Sequence, residues 1–88
     1  MREVALPNLG TQITEAEITE WVASEGDRVK AQQVIAILET EKSSYDLETE
    51  FKGILHIMKP ASDEKIETGI VIAVIAENEE EYEKIKSM

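Results

Sequence analysis

The side chains able to do chemistry in this chain are carboxylates, one histidine and a few amines, for there is no cysteine. Glu39, Glu41, Asp46, Glu48 and Glu50 crowd one short stretch, and paired carboxylates can divide acid and base roles between them. From Ser44 onward, however, Ser44, Asp46, Glu48 and Glu50 alternate with Tyr45, Leu47, Thr49 and Phe51, which puts the acids on the wet face of a strand. Acid–base catalysis needs a carboxylate perturbed by burial, and a chain of 88 residues carries no second domain to bury one. A small carboxylate hydrolase is thus an alternative reading only. The same acids lack the spacing and the turn glycine of a calcium loop, and a lone His56 cannot build a multi-histidine zinc site, so no metal is expected. His56 reads as a structural or surface residue. No serine has a histidine and acid to pair with, and no glycine-rich phosphate loop is present.

Lys42 is the remaining candidate. It lies in the tight polar connection Glu39-Thr40-Glu41-Lys42-Ser43 between two strand-like runs, so its amine should project from a hairpin tip with nothing to block an approaching enzyme. Such a position suits covalent modification. The plain alternative is a solvated charge on an unmodified β interaction module.

Short strands must hold that tip. Val, Ile and Thr come in brief runs broken by Gly, Pro, Asn, Asp or Ser. Strands are predicted at Glu3 to Leu6, Glu15 to Val22, Arg28 to Lys30, Val34 to Thr40, Ser44 to Glu50, Gly53 to Met58, Lys65 to Glu67 and Val71 to Ala76. An internal repeat appears at an offset of 37, from Ile18 to Leu55: Trp21 then meets Met58, Gly26-Asp27-Arg28-Val29 meets Asp63-Glu64-Lys65-Ile66, and Val34-Ile35-Ala36-Ile37-Leu38 meets Val71-Ile72-Ala73-Val74-Ile75. Two similar β halves, each needing the other to cover an apolar face, predict an all-β flattened barrel or sandwich of two four-stranded antiparallel sheets with two-fold quasi-symmetry. The acidic segment 77–88 has Tyr82 and Ile85 at helical spacing, but isolated short helices are marginal in water, so a tether or disorder is expected there. The domain proper is expected to be 1–76.

Composition narrows the partners. A net charge of -10 repels a nucleic-acid backbone or an anionic membrane surface. The longest unbroken apolar run, Ile70 to Ala76, is far below the roughly 20 residues needed to span a bilayer. A soluble, monomeric, intracellular domain is expected.

Taken in order, these motifs resemble the lipoyl domains of 2-oxo acid dehydrogenase complexes, found on the dihydrolipoyl acyltransferase component. Leu6-Pro7-Asn8-Leu9-Gly10 is similar to the family's opening strand and loop, Glu15, Ile18 and Trp21 to its next strand, and Glu25-Gly26-Asp27-Arg28-Val29 to its Glu-Gly-Asp turn. Glu39-Thr40-Glu41-Lys42-Ser43 stands where the family has its lipoylation motif, and Gly53 to Leu55 and Gly69 to Ile75 follow at matching spacing. The resemblance covers Val4 to Ala76. Departures are mild: Glu41 replaces the usual Asp, Ser43 the usual Ala, and Ala16 and Gln32 stand where glycines are common.

The resemblance implies that Lys42 carries lipoate in amide linkage, flanked by Glu41 and Ser43, at the end of the barrel opposite both termini. It implies a lipoate ligase or lipoyl transferase as modifying partner. Acyl groups and electrons would then pass among a thiamine-dependent 2-oxo acid decarboxylase, an acyltransferase core with coenzyme A, and a dihydrolipoyl dehydrogenase. Thr11, Gln12 and Ile13, in the loop Leu9 to Glu15, would aid partner recognition. The setting implied is the cytoplasm, or the mitochondrial matrix in a eukaryote. A biotin carrier shares the fold and modifies a hairpin lysine, but it flanks that lysine with methionines, where this chain has Glu41 and Ser43.

Overall fold

The computed structural model describes residues 1–88 and consists almost wholly of strands. All eight predicted strands form, with ends within two residues of those expected: β1 (Arg2–Ala5), β2 (Glu15–Trp21), β3 (Arg28–Val29), β4 (Val34–Glu39), β5 (Ser44–Glu48), β6 (Gly53–Ile57), β7 (Ile66–Glu67) and β8 (Val71–Ala76). They make two four-stranded sheets, ordered β1-β8-β6-β3 and β5-β4-β2-β7, with every pair antiparallel. No helix is long and apolar enough to cross a membrane.

The repeat in sequence is a repeat of topology. β2 and β4 occupy the places in one sheet that β6 and β8 occupy in the other, with β5 and β1 as equivalent edges. The short strands cross over: β3 pairs with β6 and β7 pairs with β2, so each half lends an edge to the other's sheet. Neither half closes alone. Between the sheets lies one core of 15 buried residues, among them Leu6, Ile18, Ile35, Leu38, Leu55 and Ile75. Each such side chain contributes about 1.5–3 kcal/mol by leaving water.

Residues 77–88 depart from expectation. Glu79–Lys86 form a helix, α1, which packs on the outer face of the first sheet. Its Tyr82 and Ile85 are buried in a second, smaller core with Ile54, Val74 and Ala76, which is why β8 is buried on both faces. Asn78 caps the helix, its side chain accepting from the Glu81 amide at 2.8 Å, and Glu79, Glu80 and Glu81 sit at the positive end of the helix dipole. Tertiary packing supplies what so short a helix lacks by itself.

One carboxylate fastens α1 to the sandwich. Glu25 Oε2 accepts from the Tyr82 hydroxyl at 2.7 Å and from His56 Nδ1 at 2.8 Å, while Oε1 accepts from the Ile57 amide at 2.7 Å. Because a carboxylate oxygen can only accept, Nδ1 of His56 is the donor in this contact. His56 thus helps to hold the Glu25 carboxylate in place.

The long axis of the 39 × 24 × 19 Å body has two distinct ends. β4 runs toward the hairpin that joins it to β5, closing with Glu39 opposite Ser44. β5 then runs away from it, and beyond its far end the Phe51 ring lies 5.0 Å from the Arg2 guanidinium at the start of β1. The chain's first strand thus begins at the end opposite the hairpin.

Candidate hairpin-tip modification site

The tip is the four-residue connection Thr40 to Ser43 between β4 and β5. Glu41, Lys42 and Ser43 are all exposed, whereas Thr40 is only 9% exposed. The Thr40 amide donates to the Ser43 carbonyl at 2.9 Å, closing the loop. The Thr40 hydroxyl donates to that same carbonyl at 3.1 Å and accepts from the amides of Lys42 and Ser43, each at 3.2 Å. No residue from Thr40 to Ser43 has positive φ, so the turn needs no glycine, and the Thr40 hydroxyl satisfies its backbone amides. Nothing in the sequence reading singled out Thr40, although a threonine opening a tight loop is a recognisable local signal.

Lys42 forms none of the structure's ion pairs. The other lysine near this end, Lys65, is engaged: its Nζ lies 3.0 Å from Glu17 Oε1. The hydrogen bond from Lys65 to Glu17 and the charge of that carboxylate hold the ammonium above its ordinary value, with smaller contributions from Glu15 and Glu41. Both amines are exposed, but only Lys42 is free of an ion pair.

Gln12 and Ile13 lie beside the tip. With Thr14, Glu15, Thr40, Glu41 and Lys65 they line a cleft of about 150 Å³. Thr11 falls outside that cleft, in a shallow hollow with Asn8, Gly10, Glu67 and Thr68 that Ile13 also borders. The loop is shaped by the Gly10 amide donating to Asn8 Oδ1 at 3.0 Å and by the Ile13 amide donating to the Gly10 carbonyl at 3.2 Å. Of the three predicted recognition residues, two therefore adjoin the hairpin tip and Thr11 stands apart.

The hairpin acids lie on the solvent face. Glu39, Glu41, Asp46, Glu48 and Glu50 are all exposed, while Tyr45, Leu47, Thr49 and Phe51 face inward as the alternation predicted. No cluster of three or more His, Cys, Asp or Glu is arranged to hold a metal ion. Gln32 adopts φ +70, the left-handed conformation that the family's glycine at this place would suit. Ala16 needs no such conformation and is simply buried in β2.

Residues 2–75 match the model of a family described as biotin-requiring enzyme, whose members include biotin and lipoyl domains. The dihydrolipoyllysine-residue acetyltransferase component of the pyruvate dehydrogenase complex of Zymomonas mobilis is 39% identical over 94% of this chain and 19% of its own length. The mitochondrial component 3 of Arabidopsis thaliana is 35% identical over 97% of the chain and 16% of its length. The corresponding component of the Pseudomonas putida acetoin cleaving system is 29% identical over 97% of the chain and 23% of its length. The chain spans less than a quarter of these relatives. With the two interlocked four-stranded sheets and the hairpin lysine, the match establishes that the chain belongs to the biotin/lipoyl domain family.

Proposed function

We propose that the chain is a non-catalytic lipoyl carrier domain and that Lys42 is its attachment residue. The observation that carries this reading is an exposed lysine, free of ion pairs, at the tip of the β4–β5 hairpin. The lysine fits the group it would hold. An amide-forming amine needs open approach from solvent, and neither neighbour, Glu41 or Ser43, covers it. Lys42 would contribute Nζ as the nucleophile; a lipoate ligase or lipoyl transferase would supply the activated acyl donor and remove its leaving group, with the proton passing to water. Glu41 and Ser43 in place of flanking methionines favour lipoate over biotin.

Bound lipoate supplies a strained five-membered disulfide, which accepts an acyl group and a pair of electrons. The protein's part is placement. The rigid sandwich holds Lys42 outward, and the four methylenes of its stem let the arm turn while its root stays fixed. Tethering raises the local concentration of the arm at each enzyme without new contacts. The partners proposed are a thiamine-dependent 2-oxo acid decarboxylase, an acyltransferase core and a dihydrolipoyl dehydrogenase, in the cytoplasm or the mitochondrial matrix. Relatives named for pyruvate dehydrogenase complexes and for an acetoin cleaving system support that set. Gln12 and Ile13 are proposed as recognition residues, since they share a cleft with Glu41.

Co-expression with a lipoate ligase, and separately with a biotin ligase, tests the reading by intact mass. The lipoyl increment alone is expected. A biotinyl increment instead, or no increment with either ligase, refutes it.

A further inference from the structure

Only two polar residues in the protein are buried, Thr40 and Thr49, and both close a turn with their hydroxyls. Thr49 Oγ1 donates to the Phe51 carbonyl at 2.9 Å and accepts from the Phe51 amide at 3.1 Å, at the end of β5 remote from the hairpin. Thr40 makes the equivalent arrangement at the hairpin itself, and more fully, since two successive amides converge on one oxygen. A buried hydroxyl is tolerated only when its hydrogen bonds are made, and here they are made to the residue that bears the candidate amine and to its neighbour.

We infer that Thr40 is the positioning residue of the modification site: its hydroxyl orients the Lys42 backbone so that the amine is presented to the modifying enzyme. The inference rests on the lipoyl-carrier reading. Thr40-Glu41-Lys42-Ser43 contains neither Gly nor Pro, and all four residues have negative φ, so backbone preference alone does not dictate the turn. Without the hydroxyl, the amides of Lys42 and Ser43 lose their internal acceptor. Being at an exposed tip they gain water instead, so the fold keeps nearly all its stability while the loop, closed then only by the Thr40 amide on the Ser43 carbonyl, is held less tightly. An enzyme that must bring Nζ onto an acyl carbon is sensitive to that loss, because misplacement by about 1 Å can slow such a reaction by two orders of magnitude. The Thr40 hydroxyl bonds only to backbone atoms of Lys42 and Ser43, so its action on the amine is indirect.

Thr40→Val, Thr40→Ser and the unaltered chain are compared as substrates of a lipoate ligase supplied with lipoate and ATP, initial rates of mass gain being measured over a range of domain concentration. Melting midpoints and amide hydrogen exchange at Lys42 and Ser43 are recorded beside them. Thr40→Ser is expected to keep kcat/KM within about threefold, and Thr40→Val to lose about tenfold or more with its melting midpoint nearly unmoved. Exchange at the two amides should quicken in Thr40→Val alone. Equal rates for Val and Thr, or a serine variant as poor as valine, overturn the inference. Should valine disturb packing, Thr40→Ala repeats that arm under the same criteria. If the unaltered chain accepts no lipoate, the carrier reading fails, and exchange alone decides: unchanged protection in Thr40→Val refutes the turn-locking role.

Discussion

Tyr82 and Glu25, 57 positions apart, are joined by a 2.7 Å hydrogen bond from the phenol hydroxyl to Oε2. The carboxylate also holds His56 and the Ile57 amide, so one side chain ties the turn before β3, strand β6 and helix α1 together. Removing the phenol oxygen leaves the ring packed and deletes only that strap. Tyr82→Phe is expected to lower the unfolding free energy by about 1 kcal/mol, below the usual range for a bond to a charged group because Glu25 is partly exposed. Urea titration followed by Trp21 emission reads the change, and an unmoved midpoint refutes it.

The same cluster sets a pH window. Burial pushes the Glu25 carboxyl up, but hydrogen bonds from His56, the Ile57 amide and Tyr82 together outweigh it and hold the group below its ordinary 4.5. Tyr82 is pushed from 10.0 up to about 12, first by its hydrogen bond to Glu25 and then by burial. A depressed carboxyl contributes stability above its unfolded value and loses it as pH falls through the folded one. A raised phenol contributes below its unfolded value and loses that as pH climbs through the folded one. The stability advantage of the unaltered chain over Glu25→Gln should therefore be widest between about pH 5 and 10. It should narrow on either side in urea titrations across pH, and a constant advantage contradicts the assignment.

Two glycines separate crowding from conformational strain. Gly53 has φ +149, and a Cβ there would meet the Ala76 carbonyl oxygen and come within 2.6 Å of Ile75 Cγ2, at the seam where β6 pairs with β8. Gly69 has φ +94 with no atom within 4 Å of such a Cβ. Gly53→Ala is expected to cost about 3 kcal/mol or more, from overpacking added to backbone strain, and Gly69→Ala only about 1–2 kcal/mol. Thermal melts of the two variants decide. Equal losses would mean that the close approach of β6 to β8 is not the constraint.

What the sequence made legible was whatever is periodic. Tyr45, Leu47 and Thr49 alternate with acids because one face of β5 is core, and Val34 to Leu38 echoes Val71 to Ile75 because both are inner strands. Helix α1 stayed hidden because what holds it is largely nonlocal: Glu25 and Ile54 lie far away in the chain. Beside the helical spacing of Tyr82 and Ile85, a local clue was Asn78 followed three residues later by Glu81, an N-cap pattern. Glu25 looked like a turn residue, and its grip on two strands and a helix depends on contacts that no window of sequence contains. At the tip, Lys42 was legible from its place between strands and from the family motif, whereas the hydrogen bonds of Thr40 became visible only with the loop built.

On the lipoyl-carrier reading, Lys42 alone is the modified amine. The most direct measurement is fragment mass mapping of the chain and of Lys42→Arg after each is incubated with a lipoate ligase, lipoate and ATP. One lipoyl increment on the fragment bearing Lys42 is expected, with none on Lys42→Arg, whose circular dichroism should be unchanged. An increment on Lys65 or any other lysine, or an increment that survives in Lys42→Arg, contradicts it.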